Sequence, residues 1–362
     1  MSRWTFRTAT ILTVLVYVQT CIAQNFSAFF IFGDSLADVG NNNYITTISK
    51  ADYEPVGIDF GKPTGRFTNG RTVDDMLGQA LGFKSFPPPY LAPTTVGPVV
   101  LKGVNYASGS SGILDASGAN YIGRISMNKQ LENFEKTRME IISSIGGPAA
   151  ETLLATSLFA VTTGSNDFIN NYLLPHLLKK EPQEKFIRRM ISTYRKQLTR
   201  LYYRGARMIM VANVPPIGCC PNQRDLNPSS GQECAEFPNL LARQFNQRLK
   251  RMVKELTVTL EGSRFIYADV YHIFHDIVQN YKLYGFEIAD KACCSMLGIH
   301  GGLLPCLQQS NVCPDRSKYI FWDWFHVTES AYAIIAKRLF DGEPDDISPT
   351  NIRMLSETSN MI

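Results

Sequence analysis

Short, unbroken runs of apolar residues alternate along this chain with longer segments whose apolar residues recur at helical spacing. An unbroken apolar run of about five residues is typical of a strand buried on both faces, as in a parallel sheet covered by helices. The first run leads directly into a turn that contains Gly33 and Ser35. The pattern predicts strands within residues 28–32, 99–107, 158–161, 208–214 and 265–270.

The segments between these runs are predicted to be amphipathic helices. Several begin at a capping residue, such as Thr72 or Thr328, or end at a glycine. Strands that alternate with such helices form βαβ units, so we expect an α/β fold with a mainly parallel central sheet. The helices are expected within residues 72–81, 127–142, 183–204, 240–257 and 328–339.

The first 23 residues have the features of a secretory signal peptide. Arg3 and Arg7 precede an apolar run over residues 11–18, and small residues stand before the expected cleavage point after Ala23. The alternative is a membrane anchor, but this apolar run is too short to span a bilayer comfortably. We therefore expect a secreted, extracellular protein without a membrane span. The sequon at Asn25 is a candidate glycosylation site.

The remaining chain is predicted to form one domain over residues 24–345. No internal repeat or linker divides it, and a single α/β domain of this size is common. The end of the chain is acidic, contains proline and then becomes polar, so residues 346–362 are expected to be a frayed tail.

Charge and cysteine usage exclude some classes of function. The formal net charge of +4 is spread over 362 residues without a long basic run, which argues against a nucleic-acid partner. In an exported protein, cysteines without metal-site spacing indicate disulfides rather than a metal centre. Their odd number after removal of the leader predicts an unpaired thiol or an intermolecular bridge. The seven are Cys219, Cys220, Cys234, Cys293, Cys294, Cys306 and Cys313.

Polar turns that follow the apolar runs contain the groups needed for nucleophilic catalysis. Ser35 is a candidate nucleophile, and His326 is a candidate base because imidazole titrates near neutral pH. Asp323, three residues before His326 at the start of a helix, is placed to bind Nδ1 and leave Nε2 for the serine. An oxyanion needs two or three donors. Candidates are the N–H groups of Ser35 and Gly109 and the side-chain amide of Asn166.

Four segments in this order resemble the sequence blocks of the plant GDSL esterases/lipases, in the SGNH hydrolase superfamily. Residues 30–36 resemble the first block, 103–109 the second, 164–167 the third, and Asp323 with His326 the fifth. The resemblance implies a three-layer α/β/α sandwich and a serine esterase or lipase. Its implied site residues are Ser35, Asp323 and His326, with Ser35, Gly109 and Asn166 in the oxyanion hole and no metal or organic cofactor.

The chain departs from the family pattern at two places. Val327 stands where proline often follows the catalytic histidine, and Gly109-Ser110 stands where two glycines are more usual. Neither departure removes a reacting group. An α/β-hydrolase lipase is the rival serine enzyme, but its Gly-x-Ser-x-Gly pentapeptide is absent from the chain.

Three functions stay open at this point. The chain is predicted to hydrolyse carboxylic esters through an acyl-enzyme, and the alternatives are an acyltransferase using the same site or a non-catalytic binding protein. The substrate is a small-molecule or polymer-linked ester: an acyl lipid, an acetylated polysaccharide or a phenolic ester. The sequence leaves the oligomeric state open.

Overall fold

The computed structural model describes residues 26–174, 181–228 and 233–358. The predicted signal peptide over residues 1–23 and the sequon at Asn25 lie outside these residues. Four parallel strands form the centre of the fold, in the order β1-β2-β3-β4, and a short antiparallel strand extends the sheet beyond β4. The strands are β1 (Phe29–Gly33), β2 (Leu158–Thr162), β3 (Met208–Ala212), β4 (Arg264–Ala268), β5 (Ile288–Ala292), β6 (Cys294–Ser295), β7 (Asn311–Val312), β8 (Tyr319–Phe321) and β9 (Ile347–Ser348).

Helices cover both faces of the central sheet. Phe30 and Phe32 of β1 pack in one apolar layer with α2, α5 and α7, whereas Phe29 and Ile31 pack in the other with α1, α8 and α9. The fold is therefore an α/β/α sandwich, as predicted. The helices are α1 (Val73–Ala80), α2 (Met127–Ile145), α3 (Gly147–Ala155), α4 (Ser165–Asp167), α5 (Gln183–Tyr203), α6 (Pro221–Leu226), α7 (Glu236–Thr259), α8 (Val270–Gln279), α9 (Glu329–Asp341) and α10 (Ile352–Thr358).

Local sequence explains where the elements that carry the site begin. All five residues of β1 are buried, which accounts for its lack of polar alternation. Thr72 and Asp75 form a reciprocal capping box at the start of α1. Thr328 accepts a hydrogen bond from the Ala331 N–H and caps the start of α9, two residues after His326.

The prediction of a strand over residues 99–107 is wrong in its first half. Residues Gly97–Lys102 form a 3₁₀ helix, with a proline in its first turn, where the missing N–H costs no hydrogen bond within the helix. The second half lies beside β1, where the Ile31 N–H donates to Val104 O and the Tyr106 N–H donates to Ile31 O. This segment brings Ser108 and the following loop to the end of β1.

The expectation of a frayed tail is wrong for residues 346–358. Strand β9 pairs antiparallel with β4, and Ile347, Ile352 and Leu355 are buried in the layer on that face. Arg338 of α9 forms an ion pair with Asp346, which offsets the acidic character of the segment. The apolar residues of the tail were too few to give a helical or alternating pattern.

Three disulfides lie in the described residues, in agreement with the prediction from the cysteines. They join Cys219 to Cys234, Cys293 to Cys313 and Cys294 to Cys306, and Cys220 keeps a buried free thiol. Among the residues that the structure describes, no helix is both long and apolar enough to span a bilayer.

Removal of β9 and α10 should destabilise the whole fold. Ending the chain after Gly342 exposes apolar surface that Ile347, Ile352 and Leu355 now cover, at about 2 kcal/mol for each lost side chain. We expect a free energy of unfolding several kcal/mol lower in urea titration. A chain that lacks only residues 359–362 is the control and should match the full chain. Equal stability of all three proteins would contradict the role assigned to the tail.

Candidate active site

Ser35, His326 and Asp323 are brought together at the carboxyl end of β1. His326 Nε2 lies 2.8 Å from Ser35 Oγ, and His326 Nδ1 lies 2.8 Å from each carboxylate oxygen of Asp323. The backbone N–H groups of Phe325 and His326 also donate to Asp323 Oδ1, at 2.9 and 2.8 Å. The four-residue turn thus orients its own carboxylate toward the imidazole, and both side chains are buried.

The end of β1 is held by close backbone packing. Gly33 has a φ of +150°, and a Cβ at this position would lie 2.1 Å from Thr162 O of β2. The Gly33 N–H donates to Gln130 Oε1 at 2.9 Å, and Gln130 Nε2 donates back to Gly33 O at 2.8 Å. This two-way contact places the following turn, which contains Ser35.

Gln130 is a functional candidate that the sequence reasoning missed. It is fully buried, and its Nε2 also lies within hydrogen-bond distance of Ser111 Oγ and Ile125 O. The sequence feature that could have identified Gln130 is its position as a polar residue on the apolar face of α2, between Met127 and Leu131. Such a residue requires hydrogen-bond partners in the core.

The N–H of Gly109 is already engaged, which corrects its predicted place in the oxyanion hole. It donates to Asp38 Oδ2 at 2.9 Å, while Asp38 Oδ1 accepts from the Gly40 and Asn41 N–H groups. The next residue, Ser110, lines the cavity beside Ser35 and has a φ of +67°. In the described part of the chain, the N–H groups of Ser35 and Ser110 have no protein acceptor.

Asn166 is oriented by two hydrogen bonds. Its Nδ2 donates to Ser111 O at 2.9 Å, and its Oδ1 accepts from Asn170 Nδ2 at 2.6 Å. Asn166 also lines the cavity beside Ser35. The amide nitrogen has two protons, so one stays available for a ligand.

A cavity of about 530 Å³ opens beside Ser35. One part is an outer cleft, lined by Ile48, Tyr53, Phe67, Tyr121, Leu307 and Trp324. The disulfide-held segment contributes to this cleft, and the Tyr53 hydroxyl donates to Cys306 O at 2.7 Å. Ser35 is thus accessible from a largely apolar cleft.

Buried carboxyl groups surround the site. Burial raises the pKa of Asp34 and of Asp74 to about 7, and that of Asp38 and of Asp167 to about 6. Asp167 accepts from the Ile113 and Leu114 N–H groups and from Ser117 Oγ, which lie 50 or more residues away along the chain. Asp38 and Asp167 hold the two ends of the loop that contains Ser110.

A parallel α/β sheet with a serine at the end of its first strand, next to a histidine and an aspartate, is the arrangement of a serine hydrolase. A family model described as GDSL-like lipase/acylhydrolase matches residues 29–339, and the chain belongs to this family. It is 53% identical to the GDSL esterase/lipase At4g16230 of Arabidopsis thaliana, over 96% of this chain and 95% of that protein.

Other Arabidopsis relatives extend the similarity over nearly the same length. GDSL esterase/lipase At3g50400 is 45% identical, with 91% of each chain covered. GDSL esterase/lipase 7 is 43% identical, with 91% of this chain and 92% of that protein covered. The protein is accordingly an ester-hydrolysing serine hydrolase.

Replacement of Gln130 should impair the site without removing a reacting group. Gln130→Leu leaves the Gly33 N–H without its acceptor, which should lower the free energy of unfolding by about 1–3 kcal/mol. We also expect kcat for an ester to fall by about 10- to 100-fold, because small displacements of reacting groups are costly. Lys136→Leu, at an exposed position of α2, is the control. Unchanged kcat in Gln130→Leu would show that its contacts do not position Ser35.

Stability should decrease as pH rises from about 4 to 7. A carboxyl whose pKa is raised on folding binds more protons in the native state, so the slope of unfolding free energy against pH is negative in that window. Asp34 and Asp74 contribute most, because their pKa values rise from 3.8 to about 7. Asp59 makes stability increase with pH, because its hydrogen bond from Arg316 lowers its pKa below 3.8. This effect is confined to pH values below that window.

Urea titrations between pH 4 and 8 would measure this slope. Asp74→Asn removes one of the titrating groups and should make the slope shallower. A stability that rises toward pH 7 and is unaffected by Asp74→Asn would contradict the raised pKa values of Asp34 and Asp74.

Proposed function

We propose that Ser35 attacks the carbonyl of a carboxylic ester, with His326 as general base and Asp323 as the residue that orients the imidazole. The contacts of His326 with both Ser35 and Asp323 carry this assignment. Nε2 accepts the serine proton and then passes it to the departing alcohol. Asp323 holds the proton on Nδ1 and stabilises the imidazolium that forms.

The second half of the reaction hydrolyses the acyl-enzyme. His326 takes a proton from water, the hydroxide adds to the acyl carbonyl, and Ser35 leaves with the proton that returns from the imidazolium. The reaction requires no metal or organic cofactor.

The negatively charged oxygen of each tetrahedral intermediate binds to three donors in this proposal. They are the N–H groups of Ser35 and Ser110 and the amide of Asn166. The engaged N–H of Gly109 favours Ser110 as the backbone donor from the second loop. Ser110 has a positive φ, a backbone conformation that glycine adopts freely and serine adopts rarely. The contacts of the loop hold Ser110 in this conformation.

The chain is further proposed to be exported and then to act as one hydrolase domain outside the cell. The leader over residues 1–23 supports export, and the three disulfides are compatible with an oxidising compartment. Glycosylation at Asn25 would follow from the same route.

Turnover of p-nitrophenyl esters, from acetate to palmitate, tests the role of Ser35. Ser35→Ala and His326→Ala should each lower kcat/KM by about 10³-fold or more, because the nucleophile and its base act as one unit. A fluorophosphonate should label the wild type and leave Ser35→Ala unlabelled. Ser85→Ala, at an exposed serine, is the matched control.

Equal turnover by the wild type and Ser35→Ala would refute the assignment of the nucleophile. A folded wild type that is labelled, but turns over esters only when an alcohol acceptor is added, would instead identify an acyltransferase.

A further inference from the structure

The cavity beside Ser35 continues behind the outer cleft into a space between the sheet and helices α8 and α9. We call this space the inner chamber and define it by Met210, Ala212, Phe274, Phe321, Ile335 and Leu339, which line the same cavity as Ser35. All six side chains are buried in the apolar layer on that face of the sheet. The chamber is therefore an internal extension of the site.

Helix α9 gives the direction and depth of the chamber. Tyr332, Ile335 and Leu339 lie three and four residues apart on one face of the helix, and all three line the cavity. The helix begins three residues after His326, so Tyr332 is nearest to the reacting groups and Leu339 is farthest. Seven residues of helix span roughly 10 Å. A group attached to Ser35 and extending along α9 must accordingly be long and narrow to fill the chamber.

The lining of the inner chamber favours an aliphatic chain. Its six defining side chains carry no hydrogen-bonding group, so a polar sugar would lose its hydration there without replacement. An acetyl group would leave most of the apolar lining uncovered. Each methylene that enters should raise kcat/KM by up to roughly fourfold, until the chamber is full.

Asp74 lies in the first turn of α1 and on the cavity wall, and it takes no part in the reaction proposed above. Asp74 is 3% exposed and lines the cavity, yet no hydrogen bond to its carboxyl comes from any residue that the structure describes. Its neighbour Asp75 instead pairs with Arg66 at 2.6 Å and caps α1. An unpartnered buried carboxyl is costly, and burial raises its pKa to about 7.

Asp74 lies close to the part of the chamber that adjoins the reacting groups. Burial raises the pKa of the Tyr332 hydroxyl, and the carboxyl groups of Asp323, Asp34 and Asp74 raise it further, so all three lie near this hydroxyl. The Tyr332 hydroxyl and Asp34 Oδ2 are themselves buried without hydrogen-bond partners among the described residues. A polar group of a ligand would thus find hydrogen-bond partners here, whereas the part of the ligand that lies farther along α9 would contact apolar side chains.

We propose that the inner chamber binds an aliphatic acyl chain that carries a hydroxyl group, and that Asp74 forms a hydrogen bond with that hydroxyl. A hydroxyl both donates and accepts, so it is compatible with an ionised or a protonated carboxyl. The proposal rests on the ester hydrolysis proposed above and specifies its substrate as a hydroxyacyl ester. Asp74 is then a specificity-determining residue.

Two series of p-nitrophenyl esters test the proposal. One runs from acetate to palmitate, and the other consists of dodecanoates with a hydroxyl at successive carbons. We expect kcat/KM of the wild type to rise with chain length and then level off. One hydroxyl position should be preferred over unsubstituted dodecanoate by roughly tenfold, the effect of one well-placed buried hydrogen bond.

Variants of Asp74 separate recognition from a structural effect. Asp74→Leu should reduce the ratio of kcat/KM for hydroxylated over unsubstituted dodecanoate to about one, whereas Asp74→Asn, which keeps a hydrogen-bonding group, should retain most of it. Asp52→Leu makes the same replacement at an exposed aspartate and should leave the ratio as in the wild type. The ratio compares two substrates on one protein, so the amount of folded enzyme cancels.

A structure of the wild type with a dodecylphosphonate attached to Ser35 would locate the chain independently of any variant. We expect it in the inner chamber, along Ile335 and Leu339. The proposal would be overturned by a chain located in the outer cleft or by a preference of the wild type for acetate. It would also be overturned if the wild type showed no preference for a hydroxylated dodecanoate, or if Asp74→Leu kept that preference. Failure of the phosphonate to label Ser35, or turnover that survives Ser35→Ala, would instead overturn the proposed function.

Discussion

The position of Ser35 depends on the contact between the ends of strands β1 and β2. At Gly33 the backbone of β1 comes so close to Thr162 O that a Cβ would overlap it, and Gln130 binds both backbone groups of Gly33. The backbone at this point is thus in direct contact with β2 on one side and with α2 on the other. Ser35, two residues later, therefore meets His326, although 291 residues separate the two along the sequence.

The loops around this point are held by buried carboxyl groups rather than by apolar packing alone. Asp38 accepts N–H groups from its own turn and from Gly109, and Asp167 accepts from Ile113, Leu114 and Ser117. Burial raises the pKa of both groups to about 6, so their charged forms are costly in the native state. In return, the several donors on each carboxylate fix loops that have little regular structure of their own.

The same geometry separates the residues of the proposed reaction from the walls proposed to select the substrate. The imidazole and its carboxylate lie in one four-residue turn between β8 and α9, whereas the cavity walls come from elements spread over most of the chain. Changes in the walls can alter the acyl or alcohol group that fits without moving the reacting groups. A shared family of esterases is therefore compatible with different substrates.

Local patterns were sufficient for the features that depend on neighbouring residues. The buried strands follow from unbroken apolar runs, the starts of α1 and α9 follow from Thr72 and Thr328, and the tendency to form disulfides follows from the predicted leader and the cysteines. The proximity of Ser35, Asp323 and His326 was predicted because each lies at the end of a predicted element, and because their sequence blocks resemble those of a known family.

Tertiary structure decided the features that depend on distant partners. The sequence does not show that Asp38 accepts a hydrogen bond from the Gly109 N–H, or that Gln130 forms hydrogen bonds with Gly33. It also does not show that Ile347 pairs with β4. Each of these contacts joins segments that are far apart in the chain. The inner chamber likewise exists only once α8 and α9 pack against β3. Composition and spacing describe one segment at a time, whereas hydrogen-bond partners and cavities are properties of several segments in contact.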